Sequence, residues 1–292
     1  MKQRAISLFL SILMLLGLLA GCGQKQADSA GSETPANVAT AADMTEVVDV
    51  VPEGAQPLYA ESLLPGVYDI AVDCSSSMFR IDRCTLTVED GAITAAITMA
   101  SESYLYIYPG TAVEAASADE ADCIAPVVNA DGTRTFLLPV AALDAGVPCA
   151  AYSRNKELWY DRTLCFRADS LPLEAFAEGV LTTPESLNLA DGSYTVAATL
   201  SGGSGKASIA SPAQLTVADG VCTLRVEWSS PNYDYMKVGE QQYLPVNTEG
   251  NSVFEIPVTV FDRPMAVIAD TTAMSEPHEI AYGITLDSAT IQ

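Results

Sequence analysis

The chain has 292 residues, with 37 acidic side chains against 14 lysines and arginines, so its formal net charge is −23. Nucleic acids and anionic lipid surfaces are recognised by basic surfaces, and this charge therefore excludes both as general partners. The length suits two domains of about 100 residues each behind an N-terminal export segment.

The first residues are typical of an exported bacterial lipoprotein. Lys2 and Arg4 precede an apolar run over residues 5–20, which is too short for a comfortable membrane span. Leu19–Cys22 resembles the bacterial lipobox, whose cysteine is lipidated and becomes the mature N-terminus. We expect residues 1–22 to be a signal peptide, Cys22 to carry the lipid, and the protein to lie on the outer face of a Gram-positive cell membrane.

Residues 23–60 predict a disordered tether. Between Gly23 and Pro57 the chain consists mainly of small, polar and acidic residues and contains no aromatic side chain. Such a segment buries too little apolar surface to offset the entropy lost on ordering. Its predicted role is to lift the folded part away from the membrane.

Six cysteines remain after Cys22, five of them in the first half of the folded part. They form no CxxC pair and have no neighbouring histidine, which argues against zinc. One disulfide within the first half and a set of buried free thiols both remain open. The six are Cys74, Cys84, Cys123, Cys149, Cys165 and Cys222.

The folded part repeats itself, with matching segments in the same order in both copies. We therefore predict one module over residues 61–169, a connector over 170–187 and a second module over 188–292. The matching segments are Leu63–Val72 with Leu189–Ala198, Leu86–Gly91 with Leu215–Gly220, Ser101–Tyr106 with Ser230–Tyr235, Thr135–Val140 with Ser252–Val258, and Trp159–Leu164 with Ala281–Leu286.

Each copy consists of short alternating or β-branched runs separated by turn signals such as Asp-Gly. Ala92–Met99, Gln214–Val217 and Cys222–Trp228 are examples. This spacing predicts an all-β fold of two tandem, immunoglobulin-like antiparallel β-sandwiches. A helix-like piece is expected only in the connector, over Leu171–Gly179.

His278 is the single histidine of the chain, and Tyr282 follows it four residues later. Side chains alternate along a strand, so both leave the same face. Such a pair can offer an axial ligand and its hydrogen-bond partner to a flat metallocofactor. It can equally be an exposed turn residue and an ordinary core aromatic, and the strand alone leaves both interpretations open.

Three features together resemble the NEAT (near-iron transporter) family of Gram-positive surface proteins. The first is the opening Gly192–Val196, and the second is the lip Ser75–Phe79 ahead of Leu86–Val88. The third is the run Phe136–Val140, followed in each copy by a tyrosine-containing terminal strand. The resemblance covers both copies and implies immunoglobulin-like sandwiches that bind haem.

In that family a lip serine bonds a haem propionate, a lip apolar residue covers one face, and the first tyrosine of Y-x-x-x-Y ligates iron. Here the ligand position holds Lys156 in the first copy and His278 in the second, with the partner tyrosine retained. The resemblance thus implies His278 as the metal ligand within a larger haem-binding set. That set is His278, Tyr282, Met236, Tyr235, Ser204, Ser75, Ser77, Met78, Phe79, Lys156 and Tyr160.

Several other groups of side chains each allow two interpretations. Arg80, Lys156 and Arg162 either place positive charge beside the first copy's pocket, suiting propionates or another anion, or are solvated strand-face charges. Tyr104, Tyr106 and Tyr108 are predicted to share one face, as core or as a stacking surface. Asp73–Ser77 fits the DxSxS metal-adhesion pattern, but the following residues predict a strand rather than the required helix.

The sequence predicts a lipid-anchored protein that binds haem or another iron complex and passes it to an uptake system. Its partners would be a haemoprotein or a component of an iron/haem ABC transporter, with the membrane reached only through the lipid. No catalytic constellation is visible, so we expect no enzyme. The alternative is a non-catalytic, adhesin-like interaction module without cofactor, and a weaker one is a carbohydrate-binding pair.

Overall fold

The computed structural model describes residues 35–44, 46–52, 54–273 and 278–292, and in these residues the fold is all-β. Every named strand pair is antiparallel. The strands of the first half are β1 (Gly66–Asp69), β2 (Val72–Cys74), β3 (Arg83–Glu89), β4 (Ala92–Met99), β5 (Tyr104–Tyr108), β6 (Val127–Val128), β7 (Arg134–Val140), β8 (Gly146–Ser153) and β9 (Leu158–Phe166). Those of the second half are β10 (Gly192–Gly202), β11 (Ala213–Ala218), β12 (Val221–Glu227), β13 (Tyr233–Val238), β14 (Gln241–Tyr243), β15 (Val253–Pro257), β16 (Met265–Thr271) and β17 (His278–Asp287).

The first half has two layers. One sheet has the order β1-β3-β4-β7-β6 and the other has the order β2-β9-β8-β5. Alternate residues of both sheets turn inward, as the pattern eBiBiBe (e exposed, B buried, i intermediate) of β3 illustrates. The two inner faces share one apolar core that contains Leu86, Ile97, Leu138, Leu164 and Phe166.

The second half follows the same path with one continuous strand in place of two. The N-terminal part of β10 pairs with β11, and its C-terminal part pairs with β17. All eight strands therefore form one sheet, in the order β14-β13-β16-β17-β10-β11-β12-β15. Its two ends fold over a second core, which includes Leu215, Leu224 and Ile284.

The two short α-helices lie outside the sheets. They are α1 (Ala112–Ser117) and α2 (Pro184–Leu187), and each begins with a capping box, at Thr111 and Thr183. Where the sequence predicted a helix over Leu171–Gly179, the structure has only a 3-10 turn, Leu173–Ala175. The prediction was wrong because Pro172 and Gly179 confine helical geometry to a single turn.

The hydrogen bonds correct the sequence alignment of the last strands. Asp144 and Asp262 both have positive φ, and their amides donate to the carbonyls of Phe166 and Leu286. Phe166 therefore corresponds to Leu286. Counting back four residues along these regularly paired strands, Arg162 corresponds to Tyr282. The sequence had matched Tyr160 with Tyr282, a shift of two residues that alternation along a strand cannot reveal.

A β-bulge corrects the predicted tyrosine face. The pairing of β5 with β8 shifts between Tyr104 and Tyr106, so Tyr104 and Ile107 turn inward while Tyr106 and Tyr108 do not. An extra residue in one strand reverses the alternation beyond it. The same shift separates Tyr233 from Tyr235 in β13.

The six cysteines of the described residues are free thiols, four of them buried. Of the two readings left open by the sequence, the structure therefore has buried thiols rather than a disulfide. No helix among the described residues is long and apolar enough to cross a membrane. The signal peptide and Cys22 lie outside the described residues.

Candidate functional site

A pocket of about 280 Å³ opens beside the hairpin of β8 and β9. We call it the β8–β9 pocket. It brings together five of the residues singled out in the sequence, Met78, Tyr104, Lys156, Tyr160 and Arg162, and adds five others. Its lining is Asp43, Met44, Met78, Ser103, Tyr104, Ser153, Asn155, Lys156, Tyr160 and Arg162.

Arg162 is the buried cation of this pocket. It points inward from β9 and is only 6% exposed. Its Nη1 donates to the carbonyl of Asp161 at 2.6 Å, and its guanidinium lies 5.1 Å from the ring centre of Tyr160. Its Nε has no hydrogen-bond partner, and no carboxylate of the described chain pairs with it. A buried charge without a partner costs several kcal/mol as an order of magnitude, so this group is suited to an incoming anion.

Tyr160 and Lys156 supply further polar groups. Tyr160 is 9% exposed, and none of the described residues hydrogen-bonds its hydroxyl. Burial raises the pKa of Tyr160, Asp43 raises it further, and Arg162 opposes both. Lys156 is exposed in the turn between β8 and β9. The pocket therefore offers one free phenol and two cationic side chains.

The lip Ser75–Phe79 borders the pocket, but its side chains have different roles. Ser75 is 3% exposed, and its Oγ accepts from the amide of Thr163 at 2.9 Å. Phe79 is 1% exposed and packs against Tyr104 with ring centres 5.1 Å apart. Ser77 is exposed and does not line the pocket. Met78, 63% exposed, is the one lip side chain at the pocket.

The sequence missed the contribution of Asp43 and Met44, because residues 23–60 were predicted to be a disordered tether. In the structure the segment carrying them lies along β9, where Val38 forms a parallel bridge with Trp159. Asp43 is the only acidic residue that lines the pocket in the described chain. Val38, a β-branched apolar residue amid small and polar ones, was the available signal.

The corresponding space in the second half is filled by aromatic rings. Tyr282 is 5% exposed and shares a 3.1 Å hydrogen bond between hydroxyls with Tyr233. The ring of Trp228 stacks on Tyr233 and meets Tyr282 edge-on, with ring centres 4.0 Å and 5.1 Å away. Gly203 lies so close to Tyr282 that a Cβ there would approach its ring to 2.6 Å. Tyr282 therefore belongs to a closed core.

The structure does not bring the predicted ligands of the second half together. His278 is exposed at the start of β17, opposite Thr271. Met236 is fully buried and accepts from the Trp228 indole at 3.3 Å. Tyr235 turns the other way and donates to Glu279 at 2.7 Å, which raises its pKa to about 12.

The remaining candidates lie apart from the pocket. Ser204 is exposed in the turn after β10, and Arg80 is solvated beside Asp82. Asp73, from the DxSxS pattern, pairs with Arg167. Among the described residues there is no group of three or more histidines, cysteines, aspartates or glutamates that could hold a metal ion.

Among the comparisons with known proteins, matches are found only with solved structures. No protein-family model matches the chain. No curated protein matches it either. Among solved structures, the chain is similar to a mutant of IsdX2-NEAT5 determined in complex with heme, at 19% sequence identity and a TM-score of 0.29. That match covers 34% of this chain and 97% of the other one.

Proposed function

We propose that the first half of the chain binds haem, or another flat apolar ligand with carboxylate groups, in the β8–β9 pocket. The observation that carries this proposal is Arg162, a buried guanidinium without a carboxylate partner in the described part of a strongly acidic protein. A ligand carboxylate would supply the missing charge and accept from the free Nε. Charge-assisted bonds of this kind are about twice as strong as neutral ones.

The rest of the lining suits the apolar part of such a ligand. Met78 and Tyr104 offer a thioether and an aromatic ring, and Lys156 stands in the turn with a second positive charge. The volume of about 280 Å³ is close to the lower end of the range for small-molecule sites, roughly 300–1,000 Å³. A porphyrin would therefore enter with one edge and leave the other in solvent, which suits a cargo that is handed on.

Tyr160 is our candidate for the iron ligand. A phenol oxygen is an established haem ligand, and the hydroxyl of Tyr160 has no competing partner among the described residues. The guanidinium of Arg162 lies 5.1 Å from the centre of the Tyr160 ring. Lys156, which the family resemblance places at the ligand position, is the second candidate within the same pocket.

We further propose that binding takes place at the outer face of the cell membrane, on a protein anchored through Cys22, and that the cargo passes to an uptake system. The support is the lipobox-like sequence Leu19–Cys22. Growth with labelled palmitate should label the wild-type protein and leave Cys22→Ala unlabelled. Label in the variant would contradict the anchor.

The test of binding is a haemin titration that follows the Soret band. We expect the wild type to bind, and Arg162→Met and Tyr160→Phe each to weaken binding by about tenfold or more. Arg80→Met is the control for Arg162 because its side chain is 85% exposed. Tyr59→Phe is the control for Tyr160, since Tyr59 is 51% exposed.

Two results would contradict this assignment. A Soret band that survives Arg162→Met and Tyr160→Phe but disappears in His278→Ala would move the site to the second half. No band with the wild type would exclude haem and favour the interaction module that the sequence left open.

A further inference from the structure

The segment 35–44, which we call the strap, adds a short parallel strand to the edge of β9. The amide of Trp159 donates to the carbonyl of Asn37 at 2.8 Å, and the amide of Ala39 donates to the carbonyl of Trp159 at 2.9 Å. β2 pairs with β9 only over its last three residues, Leu164–Phe166. The strap therefore occupies the stretch of this edge that borders the pocket.

One side chain anchors the strap. Val38 is 6% exposed and packs in a small cluster with Trp159, Ala150, Ala112 and Ala115. Val47, further along the same chain, is 55% exposed. The strap is therefore held by two backbone hydrogen bonds and one apolar side chain at this point.

From the anchor the strap runs to the mouth of the β8–β9 pocket. Asp43 and Met44 line the pocket there. The carboxylate of Asp43 is fixed by the amide and hydroxyl of Thr40, at 2.9 Å and 2.7 Å. These hydrogen bonds lower the pKa of Asp43, so it is charged at neutral pH.

We propose that the strap is a displaceable gate on the pocket, which must leave the edge of β9 before an anionic ligand reaches Arg162. This inference rests on the function proposed above. While the strap is docked, the carboxylate of Asp43 repels an incoming anion, and Met44 lines the same pocket.

The strap is suited to exchange because few contacts hold it. Ordering about ten residues costs conformational entropy at each of them, and two edge hydrogen bonds with one buried valine offset only part of it. For a ligand that binds only the undocked form, the apparent dissociation constant is the intrinsic one divided by the fraction of the protein that is undocked.

The experiment compares Val38→Asp with Val47→Asp in the full chain. The first substitution buries a charge under the strap, and the second places the same side chain where it is exposed. Hydrogen exchange at Ala39 and Trp159 should rise in Val38→Asp and stay at the wild-type level in Val47→Asp. Haemin should bind Val38→Asp about three- to tenfold more tightly than wild type. Asp43→Asn, which keeps the strap docked, should give a smaller gain that fades at high salt.

A second readout does not depend on haemin. Phenylglyoxal reacts with guanidinium groups, and mass spectrometry measures its reaction with Arg162. We expect faster modification of Arg162 in Val38→Asp and an unchanged rate at the exposed Arg80. An unchanged rate at Arg162 despite raised exchange would overturn the gate, and so would haemin affinity that falls on undocking. Failure of every variant to bind haemin, with faster modification of Arg162, would contradict the proposed function alone.

Discussion

Arg162 in the first half and Tyr282 in the second occupy corresponding positions in β9 and β17, yet one lines an open pocket and the other lies in a packed core. The neighbours of Tyr282 satisfy it completely, with a hydrogen bond from one side and an indole ring from the other. Those of Arg162 leave its Nε without a partner. One half therefore uses this position for stability, and the other holds a charge that weakens its own fold.

This difference is the reason that we propose the first half as the binding half. A buried and unpaired charge persists in a fold at a cost, and a ligand that pairs with it recovers that cost. The aromatic trio of the second half leaves no polar group of this kind. The following predictions test the contrast, from the largest expected effect to the smallest.

The largest effect is expected from Trp228→Ala. The indole is 1% exposed and contacts both tyrosines of the trio. Its removal should lower the free energy of unfolding by about 3–5 kcal/mol, because the cavity cannot close fully. Urea unfolding measures the loss, and Leu244→Ala at a 66% exposed position is the control. A loss below about 1 kcal/mol would show that the trio is not a packed core.

Arg162→Met should separate stability from binding. Replacing an unpaired buried charge by an apolar side chain of similar length should raise the free energy of unfolding by about 1 kcal/mol or more. The same variant is expected to bind haemin at least about tenfold more weakly. Thermal unfolding and the Soret titration are measured on one preparation. A destabilised variant would instead indicate that Arg162 supports the fold.

A smaller difference should separate two tyrosine variants. Tyr282→Phe leaves the hydroxyl of Tyr233 without its 3.1 Å partner and should cost about 1 kcal/mol. Tyr160→Phe removes a hydroxyl that has no partner in the described chain and should cost less than about 0.5 kcal/mol. Chemical denaturation compares the two. Equal losses would erase the contrast between the halves at this position.

The smallest effect concerns Asp144 and Asp262, the corresponding residues at the turns before β8 and β16. Burial raises the pKa of Asp144 above 3.8. Burial acts on Asp262 as well, but hydrogen bonds from Ser288 and Thr182 outweigh it and lower the pKa. The stability contributed by Asp144 is thus full below pH 3.8 and lost as pH rises through its folded-state pKa. That of Asp262 is present above pH 3.8 and lost as pH falls through its lower folded-state pKa.

Asp144→Asn and Asp262→Asn should therefore change the pH dependence of stability with opposite signs. The free energy of unfolding of Asp262→Asn should be lower than that of wild type at neutral pH, and the difference should disappear in acid. The free energy of unfolding of Asp144→Asn, relative to that of wild type, should be highest at neutral pH and lowest below pH 3.8. Denaturation at pH 3 and pH 7 gives both comparisons. Parallel changes in the two variants would show that their surroundings do not differ in this way.

Much of the fold could be predicted because local sequence patterns determine its strands and turns. The run Ala92–Met99 alternates as a strand must, and β4 has these bounds. The turn glycines Gly91 and Gly220 have the positive φ that their Asp-Gly pairs predicted. The candidate site could be predicted from the sequence only in part. Met78, Tyr104, Lys156, Tyr160 and Arg162 were named from the sequence, but the structure places the other eight residues of the predicted haem-binding set elsewhere.

The missing information was long-range. A bulge in β5 changes which of its side chains face inward. A two-residue shift in β9 changes which residues of the two halves correspond, and alternation along a strand cannot reveal it. His278 drew attention as the single histidine, but rarity says nothing about what lies beside a side chain. The sequence predicted the strap to be part of a disordered tether because the segment has few apolar side chains to bury. It is ordered by contacts with Ala150 and Trp159, which are more than 100 positions away in the chain.

The sequence by itself determined the all-β class, the net negative charge and the bounds of strands such as Ala92–Met99, because alternation and turn chemistry act between neighbouring residues. Only the tertiary structure decided whether the position shared by Arg162 and Tyr282 lines a pocket or a closed core. That decision depends on the aromatic rings packed around Tyr282 and on the distant segment that brings Asp43 and Met44 beside Arg162. Both are contacts between residues far apart in the chain, and packing alone sets them.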